Sequence, residues 1–513
     1  MRRLPRRLNE GIGRLVAVLL VTAGLVAGPV GPSLAGTATG GAAAGATAGP
    51  AATGAAAPPA PAGSRTLVVE PGGPLTSIQE ALRRARPGDT IVVRGGRYPG
   101  PVRIDRPVRL VGEGRPVIDG GGRGTVVHVT APDVTVQGFH IAGSGRNFNQ
   151  EDAGITVDAP RATIVGNRVT DTLFGIYLRK AHGSVVQGNV VEGRVEEEVS
   201  LRGDSIRVWY SDGVRVENNV VRHGRDILLM FARDVLVQGN EAEASRYALH
   251  LMYVEQATVM ENTLRGNVVG IYVMYSRDVH LRHNLVTGHR GPGGYGVGLK
   301  DADELLVEEN QILANRVGVY IDNSPRREDV RNRWVRNAIA RNDIGILLLP
   351  AVRHNVFAEN AFVDNLQGVA VHGGGEPVGN EWSAAGRGNY WSDYAGYDRD
   401  GDGIGDVPYR PRSYMLELVD RYPLLRWFMH GPSAAAVEMA VRALPLLAPP
   451  PTVEDPFPLT SQPVAMGGAT RSPSGSQLGF ASAGLLVLAG AGLLAALAPP
   501  RVGTGSAVRS TGG

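Results

Sequence analysis

Three methionines stand 22 residues apart, at positions 230, 252 and 274, and a histidine at 250 lies two residues before the second. Thioether and imidazole are the side chains that soft, monovalent copper takes when thiolate is absent, and this chain of 513 residues has no cysteine. Residues 223–289 hold four of the nine methionines (Met230, Met252, Met260, Met274) and five of the eleven histidines (His223, His250, His280, His283, His289), so the donors are concentrated. Two sulfurs sharing one ion at about 2.3 Å each, with the zinc–sulfur length as a guide, lie no more than about 4.6 Å apart. Neighbouring strands of a sheet approach that spacing. Met230, His250, Met252 and Met274 are therefore candidate ligands for transiently held Cu(I). Two other readings compete: an apolar patch on which a partner docks without metal, and a surface covered by a loop such as the insertion between Asn189 and Asn218. His280 and His283, taken singly, read as solvated surface residues.

A second constellation lies further on. Asp398, Asp400, Asp402, Gly403 and Asp406 place carboxylates at alternating positions around a glycine, as in the first half of a calcium loop. A complete loop carries a bidentate Glu at its twelfth position, and that position here is Tyr409. The pattern is compatible with a structural calcium ion held by Asp398, Asp400, Asp402 and Asp406, or with a tight turn that binds nothing.

A repeat must position these residues. An Asn after a short apolar strand recurs at 167, 189, 218, 240, 262, 284, 310, 337, 360 and 380, with gaps of 22, 29, 22, 22, 22, 26, 27, 23 and 20 residues. Each unit is too small to bury a hydrophobic face alone, so the units must stack. Within a unit the periodicity is two: in Gly270, Ile271, Tyr272, Val273, Met274 the aliphatics share one face and Tyr272 and Met274 the other. Two or three short strands and tight turns in about 22 residues make one rung of a parallel β-helix, with rungs about 4.8 Å apart. On this reading Met230, Met252 and Met274 form a column on the outside, beside Leu228, His250 and Tyr272. The recurring Asn is assigned to the corners, where it tolerates a left-handed backbone and bonds to its equivalent one rung away. Ser77, Ile78, Gln79, Glu80, Ala81, Leu82 and Ala85 predict a short helix with a capping box that covers the open N-terminal end.

Flanking segments read as export and anchoring. Arg2, Arg3, Arg6, Arg7 and Arg14 precede an apolar run from Leu15 to Ala27 and a small-residue cleavage site, which predicts a signal peptide over 1–35. A Gly/Ala/Thr/Pro-rich linker follows over 36–63, then the β-helix domain with its C-terminal cap over 64–430 and a Pro-rich tether over 431–476. The uncharged run Phe480 to Ala498 predicts a single transmembrane helix within 477–498 and a cytoplasmic tail over 499–513, which sets the repeats outside. A net charge of +3 spread along the repeats does not suggest a nucleic-acid surface. No Walker-type phosphate loop is present, so any energy must come from a partner.

A family pattern is also visible. Gly388, Asn389, Tyr390, Trp391, Ser392, Asp393, Tyr394, then Gly396, Tyr397, Asp398 and the Asp-Gly loop to Asp406, Val407, Pro408 and Tyr409 resemble the closing motif of NosD proteins. Ser77 to Leu82, Pro87, Gly88, Asp89, Thr90, Gly95 and Tyr98 resemble that family's opening rung, and the likeness extends over roughly residues 64–430. The resemblance implies a right-handed parallel β-helix, exported across the cytoplasmic membrane, that acts in maturation of nitrous oxide reductase. It implies as partners an ATP-binding cassette transporter of NosF and NosY, the copper chaperone NosL and the reductase, with copper or sulfur as cargo. The C-terminal helix departs from the family pattern.

The competing class is an enzyme. Parallel β-helices that cleave or epimerise acidic polysaccharides need clustered acids or a proton abstractor in an outward groove. This chain has no Asp-Asp dipeptide and no Gly-His-Gly segment, and the positions twelve after the Asn read Arg179, Met230, Met252, Met274, Asp322 and Leu349. The expectation is therefore a non-catalytic delivery protein, with a polysaccharide-acting enzyme or a plain binding scaffold as alternatives.

Overall fold

The computed structural model describes residues 64–373, 378–411 and 453–464, with scattered positions between 418 and 451. All belong to one compact unit, 1–465; the other, 466–513, lies outside the described residues. The signal peptide, the linker and the membrane segment read from the sequence also lie outside them. Among the described residues no helix is long and apolar enough to cross a membrane.

Each rung contributes one strand to each of three sheets, of 13, 13 and 12 strands in chain order, and every strand pairing is parallel. The result is a right-handed parallel β-solenoid. Alternation explains the core: along the first sheet Ile164, Val186, Val216, Val237, Val259, Leu281 and Val307 stand opposite one another in sequence and are all fully buried. A strand flanked by covered rungs on both sides favours such β-branched and aliphatic residues. At the C-terminal end the column turns aromatic, with Trp334, Phe357 and Trp382 stacked at 5.8 and 4.7 Å, so large rings fill the last rungs.

Helix α1 (Ile78–Arg84) closes the N-terminal end and buries Ile78, Ala81 and Leu82. Ser77 Oγ accepts from the Glu80 amide at 3.3 Å, as a cap should, but the Glu80 carboxylate pairs with Arg84 instead of returning to the Ser77 amide. Half of the predicted capping box forms.

The corner asparagines form a continuous ladder, with two corrections to its membership. It runs through Asn167, Asn189, Asn219, Asn240, Asn262, Asn284, Asn310, Asn337, Asn360 and Asn389, at separations of 22, 30, 21, 22, 22, 26, 27, 23 and 29. Asn218 is not a member: it holds φ 53° at the corner, and its neighbour Asn219 points inward. Asn380 belongs to a different ladder, accepting from Asn355 at 3.0 Å. From Asn167 to Asn360 the left-handed residue is the one before the ladder Asn, as at Gly239, Glu261, His283 and Glu309. The Asn itself is buried, and from Asn189 onward each Oδ1 accepts from the preceding ladder residue's amide and Nδ2, as Asn262 does from Asn240.

Residues 453–460, which the sequence reading places in the tether, return to the solenoid. Asp455 pairs with Tyr409 and Leu459 with Ile404, both antiparallel, and the Asp455 carboxylate ends the ladder by accepting from the Asn389 amide at 2.7 Å. Burial pushes the Asp455 carboxyl up, against hydrogen bonds from Trp391 and from the Asn389 and Phe457 amides.

Candidate functional site

The third sheet carries the methionines on its outer face. Arg179, Trp209, Met230, Met252, Met274, Lys300 and Asp322 stand opposite one another in successive strands. The three methionines are thus adjacent, as the 22-residue spacing predicts. Above them Arg179 reaches Asp158 at 2.7 Å and below them Lys300 reaches Asp322 at 2.8 Å, so ion pairs bracket an apolar middle. The methionines are half-buried, not freely exposed. At the adjoining corner Tyr210, Phe231, Tyr253 and Tyr275 stack face to face at 4.7, 5.0 and 4.9 Å and wall one side of the column.

His250 is the nitrogen donor that meets this column. It occupies the next outward position toward the N-terminus of its strand, is 7% exposed, and its Nε2 lies 3.2 Å from Met274 Sδ. The other histidines of the window disperse. His280 and His283 pair with Glu308 and Glu309 at 2.9 and 3.3 Å on and beside the first sheet, and His223 occupies a corner with φ 56°. His289 replaces an Asn in a second buried ladder, between Asn267 and Asn315, where burial pushes its pKa down to about 4. Met260 also leaves the group and contacts Arg282 at 3.4 Å on the first sheet. Sequence proximity therefore overstates the cluster: Met230, His250, Met252 and Met274 come together and the rest do not.

Sequence reading missed a buried charged network behind His250. Asp204 and Asp226 lie on adjacent rungs, both with no exposed surface. Arg225 Nε donates to Asp204 at 2.9 Å and, one rung later, Arg246 Nε donates to Asp226 at 2.9 Å. Burial pushes Asp204 up, and the charge of Asp226 adds to that. Burial acts on Asp226 as well, but hydrogen bonds from His250 and Arg246 outweigh it and hold that carboxyl below its ordinary range. The acids absent as a dipeptide are thus paired across rungs. The available signal was composition at one rung position, where Gly175, Gly270, Gly296 and Gly318 elsewhere give way to Ser205 and Asp226.

The long insertion does not settle onto the methionines by polar contacts. Arg202 donates to the carbonyls of Glu197, Val195 and His223, and Arg194 reaches Asp171 and Ser144. Later in the same span the Arg207 guanidinium sits 4.4 Å from the Trp209 ring and 4.9 Å from that of Tyr177.

The acidic loop is a closed turn in this structure. Asp398, Asp400 and Asp402 offer oxygens within 4.8 Å of one another. Asp398 accepts from the Gly401 and Gly403 amides at 2.7 and 2.9 Å, and Asp402 from Ile404 at 2.8 Å. Asp406 turns to the Arg399 amide at 2.8 Å and does not join the other three.

Residues 194–396, which include the whole methionine column, match the family described as "Periplasmic copper-binding protein (NosD)". The "Probable ABC transporter binding protein NosD" of Pseudomonas aeruginosa is 33% identical over 463 residues, 78% of this chain and 98% of that protein. The chain belongs to the NosD family. Its NosD relative from Stutzerimonas stutzeri, of the same name, is 30% identical over 420 residues, 72% of this chain and 86% of that one. Among solved structures, the A-module of Azotobacter vinelandii mannuronan C-5 epimerase AlgE6 covers 60% of this chain and 92% of its own, at 14% identity and TM-score 0.44. A Yersinia enterocolitica family 28 exopolygalacturonase covers 62% and 78%, at 12% identity and TM-score 0.40. Likeness at that level says nothing about activity in a NosD chain.

Proposed function

We propose that this NosD-family protein is an exported accessory factor in nitrous oxide reductase maturation. In this reading it receives Cu(I) from a copper chaperone and presents it as cargo, with an ATP-binding cassette transporter supplying the energy. The observation that carries the proposal is the meeting of His250 Nε2 and Met274 Sδ at 3.2 Å within a column of three register-paired methionines. Thioether and imidazole donors suit monovalent copper and suit hard cations poorly. A half-buried, apolar setting also favours transfer to a docked partner, because a monovalent cation loses little to soft ligands and is shielded from water. Copper, not sulfur, is the cargo these donors fit. The names of the two relatives support a transporter partner, and the family description supports a periplasmic location.

The enzyme alternative loses ground on geometry. Asp204 and Asp226 are paired as a polysaccharide-acting enzyme would require, yet neither has exposed surface, so neither reaches an external chain. For the acidic loop, a structural calcium ion held by Asp398, Asp400 and Asp402 remains a separate proposal, supported by their mutual reach. It predicts a higher melting temperature with calcium than with chelator, and an Asp398→Asn variant in which that difference disappears.

The copper proposal is tested by titrating Cu(I) against a competing chelator under reducing conditions. Wild type should bind, and a triple Met→Leu variant at 230, 252 and 274 should lose at least about tenfold in affinity, or roughly 1.4 kcal/mol. Equal affinity in both would remove copper from the column and leave apolar docking.

A further inference from the structure

We infer that Asp226 is the positioning residue of this site: it holds the His250 imidazole in the tautomer with hydrogen on Nδ1, so that the Nε2 lone pair faces Met274. The inference rests on the copper reading above and deepens it.

The placement of Asp226 follows from a one-residue irregularity. The ladder step from Asn219 to Asn240 is 21 residues, one short of the two steps of 22 that follow it. The 21-residue offset persists to Asp226, which stands opposite Tyr247, and becomes 22 at Leu228, which stands opposite His250. Toward the preceding rungs Asp226 continues the position of Ser205 and Gly175, because Ile227 stands opposite Ile206 and Ile206 opposite Ile176; the slip on its other side sets the carboxylate beside the following strand. Asp226 Oδ2 then lies 3.2 Å from His250 Nδ1.

The carboxylate is itself immobilised. Arg246 donates to both of its oxygens, and the Tyr247 amide donates to Oδ1 at 3.3 Å. An ionised carboxylate only accepts, so the ring nitrogen facing it must carry the hydrogen. A neutral imidazole then has its lone pair on Nε2, and a thioether sulfur likewise offers lone pairs. Two donors of electron density facing each other at 3.2 Å have no hydrogen to share; a soft cation satisfies both. The ring cannot easily turn out of this pose, because Tyr247 meets it edge-on at 4.9 Å and Tyr272 covers a face at 6.3 Å. Outer carboxylates fix metal-binding imidazoles by this means in many sites.

Asp226→Asn is the informative variant. Arg246 keeps the amide oxygen, which leaves the amide NH2 facing Nδ1 and moves the ring hydrogen to Nε2. Long-range 1H–15N correlation on the copper-free protein at neutral pH should show His250 protonated on Nδ1 in wild type and on Nε2 in Asp226→Asn. Cu(I) affinity should fall about 10–100-fold in Asp226→Asn. In a His250→Ala background, the same substitution should change affinity little. Protonation of Nε2 in the copper-free wild type overturns the inference without need of any variant, so an unfolded variant does not leave it untested. Copper binding that depends on the methionines but ignores Asp226→Asn overturns the inference and leaves the copper reading standing. Absence of methionine-dependent binding overturns the copper reading, while the tautomer measurement still decides the role of Asp226.

Discussion

Two columns climb the same solenoid and treat the repeat in opposite ways. Inside the corner, one rung after another presents the same residue, from Asn167 to Asn389. On the outer face of the third sheet, the rungs present Arg179, Trp209, three methionines, Lys300 and Asp322. The inner column is uniform because a buried amide must find its partners one rung away, and another Asn returns both a donor and an acceptor at that distance. The outer column meets no such demand. Packing fixes where its side chains stand but not what they are, so the same stacking that enforces Asn inside leaves chemistry free outside.

That contrast makes unequal predictions. The largest effect is expected inside: Asn262→Leu removes the acceptor for the Asn240 amide and Nδ2 and the donor to the Val237 carbonyl, all buried. Losing several such bonds should cost about 3 kcal/mol or more, read as the midpoint of urea unfolding. If the loss is under about 1 kcal/mol, the ladder is ornament and the contrast fails.

His289 tests a departure from uniformity. Its folded pKa, pushed down to about 4 by burial, lies below the ordinary 6.5, so the unfolded chain takes up a proton first as pH falls. The stability owed to neutral His289 is therefore intact above about 6.5 and is lost as pH falls towards 4. His289→Asn should make stability less sensitive to acid in that window, measured by urea midpoints at its two ends. An unchanged pH dependence would remove the histidine as the cause.

Outside, effects on stability should be small. The triple Met→Leu variant that loses copper should change unfolding by under about 1.5 kcal/mol per site, because volume is nearly conserved. Lys300→Met, which lengthens the methionine run by one rung at the cost of the ion pair with Asp322, should shift stability by less than about 1 kcal/mol. A large loss from either would show that the outer column is as constrained as the inner one.

Much of this was legible in the residues. The 22-residue spacing of Met230, Met252 and Met274 predicts their register, and the structure pairs Met230 with Met252 and Met252 with Met274. That register holds although the ladder residue is Asn219 and not Asn218. The one-residue slip between Asp226 and Leu228 restores the count, so two displacements cancel. Ladder membership could not be read from Asn alone, because Asn218 and Asn219 are adjacent and of one type. Only the backbone decides which of them takes φ 53° and which turns inward. The methionine column is half-buried where exposure was expected, and His250 packs against it with Nε2 3.2 Å from Met274 Sδ.

The sequence by itself determined the period, the parallel stacking and the identity of the outward donors, because strand alternation and a fixed rung length convert linear spacing into direction. Tertiary structure decided which donors meet. It sent His280, His283 and Met260 to the first sheet and its edge and His289 into a ladder, and it brought Asp226 from the preceding rung behind His250. The physical reason is that contacts between rungs depend on register to the single residue. Register here turns on one slip that no local pattern announces.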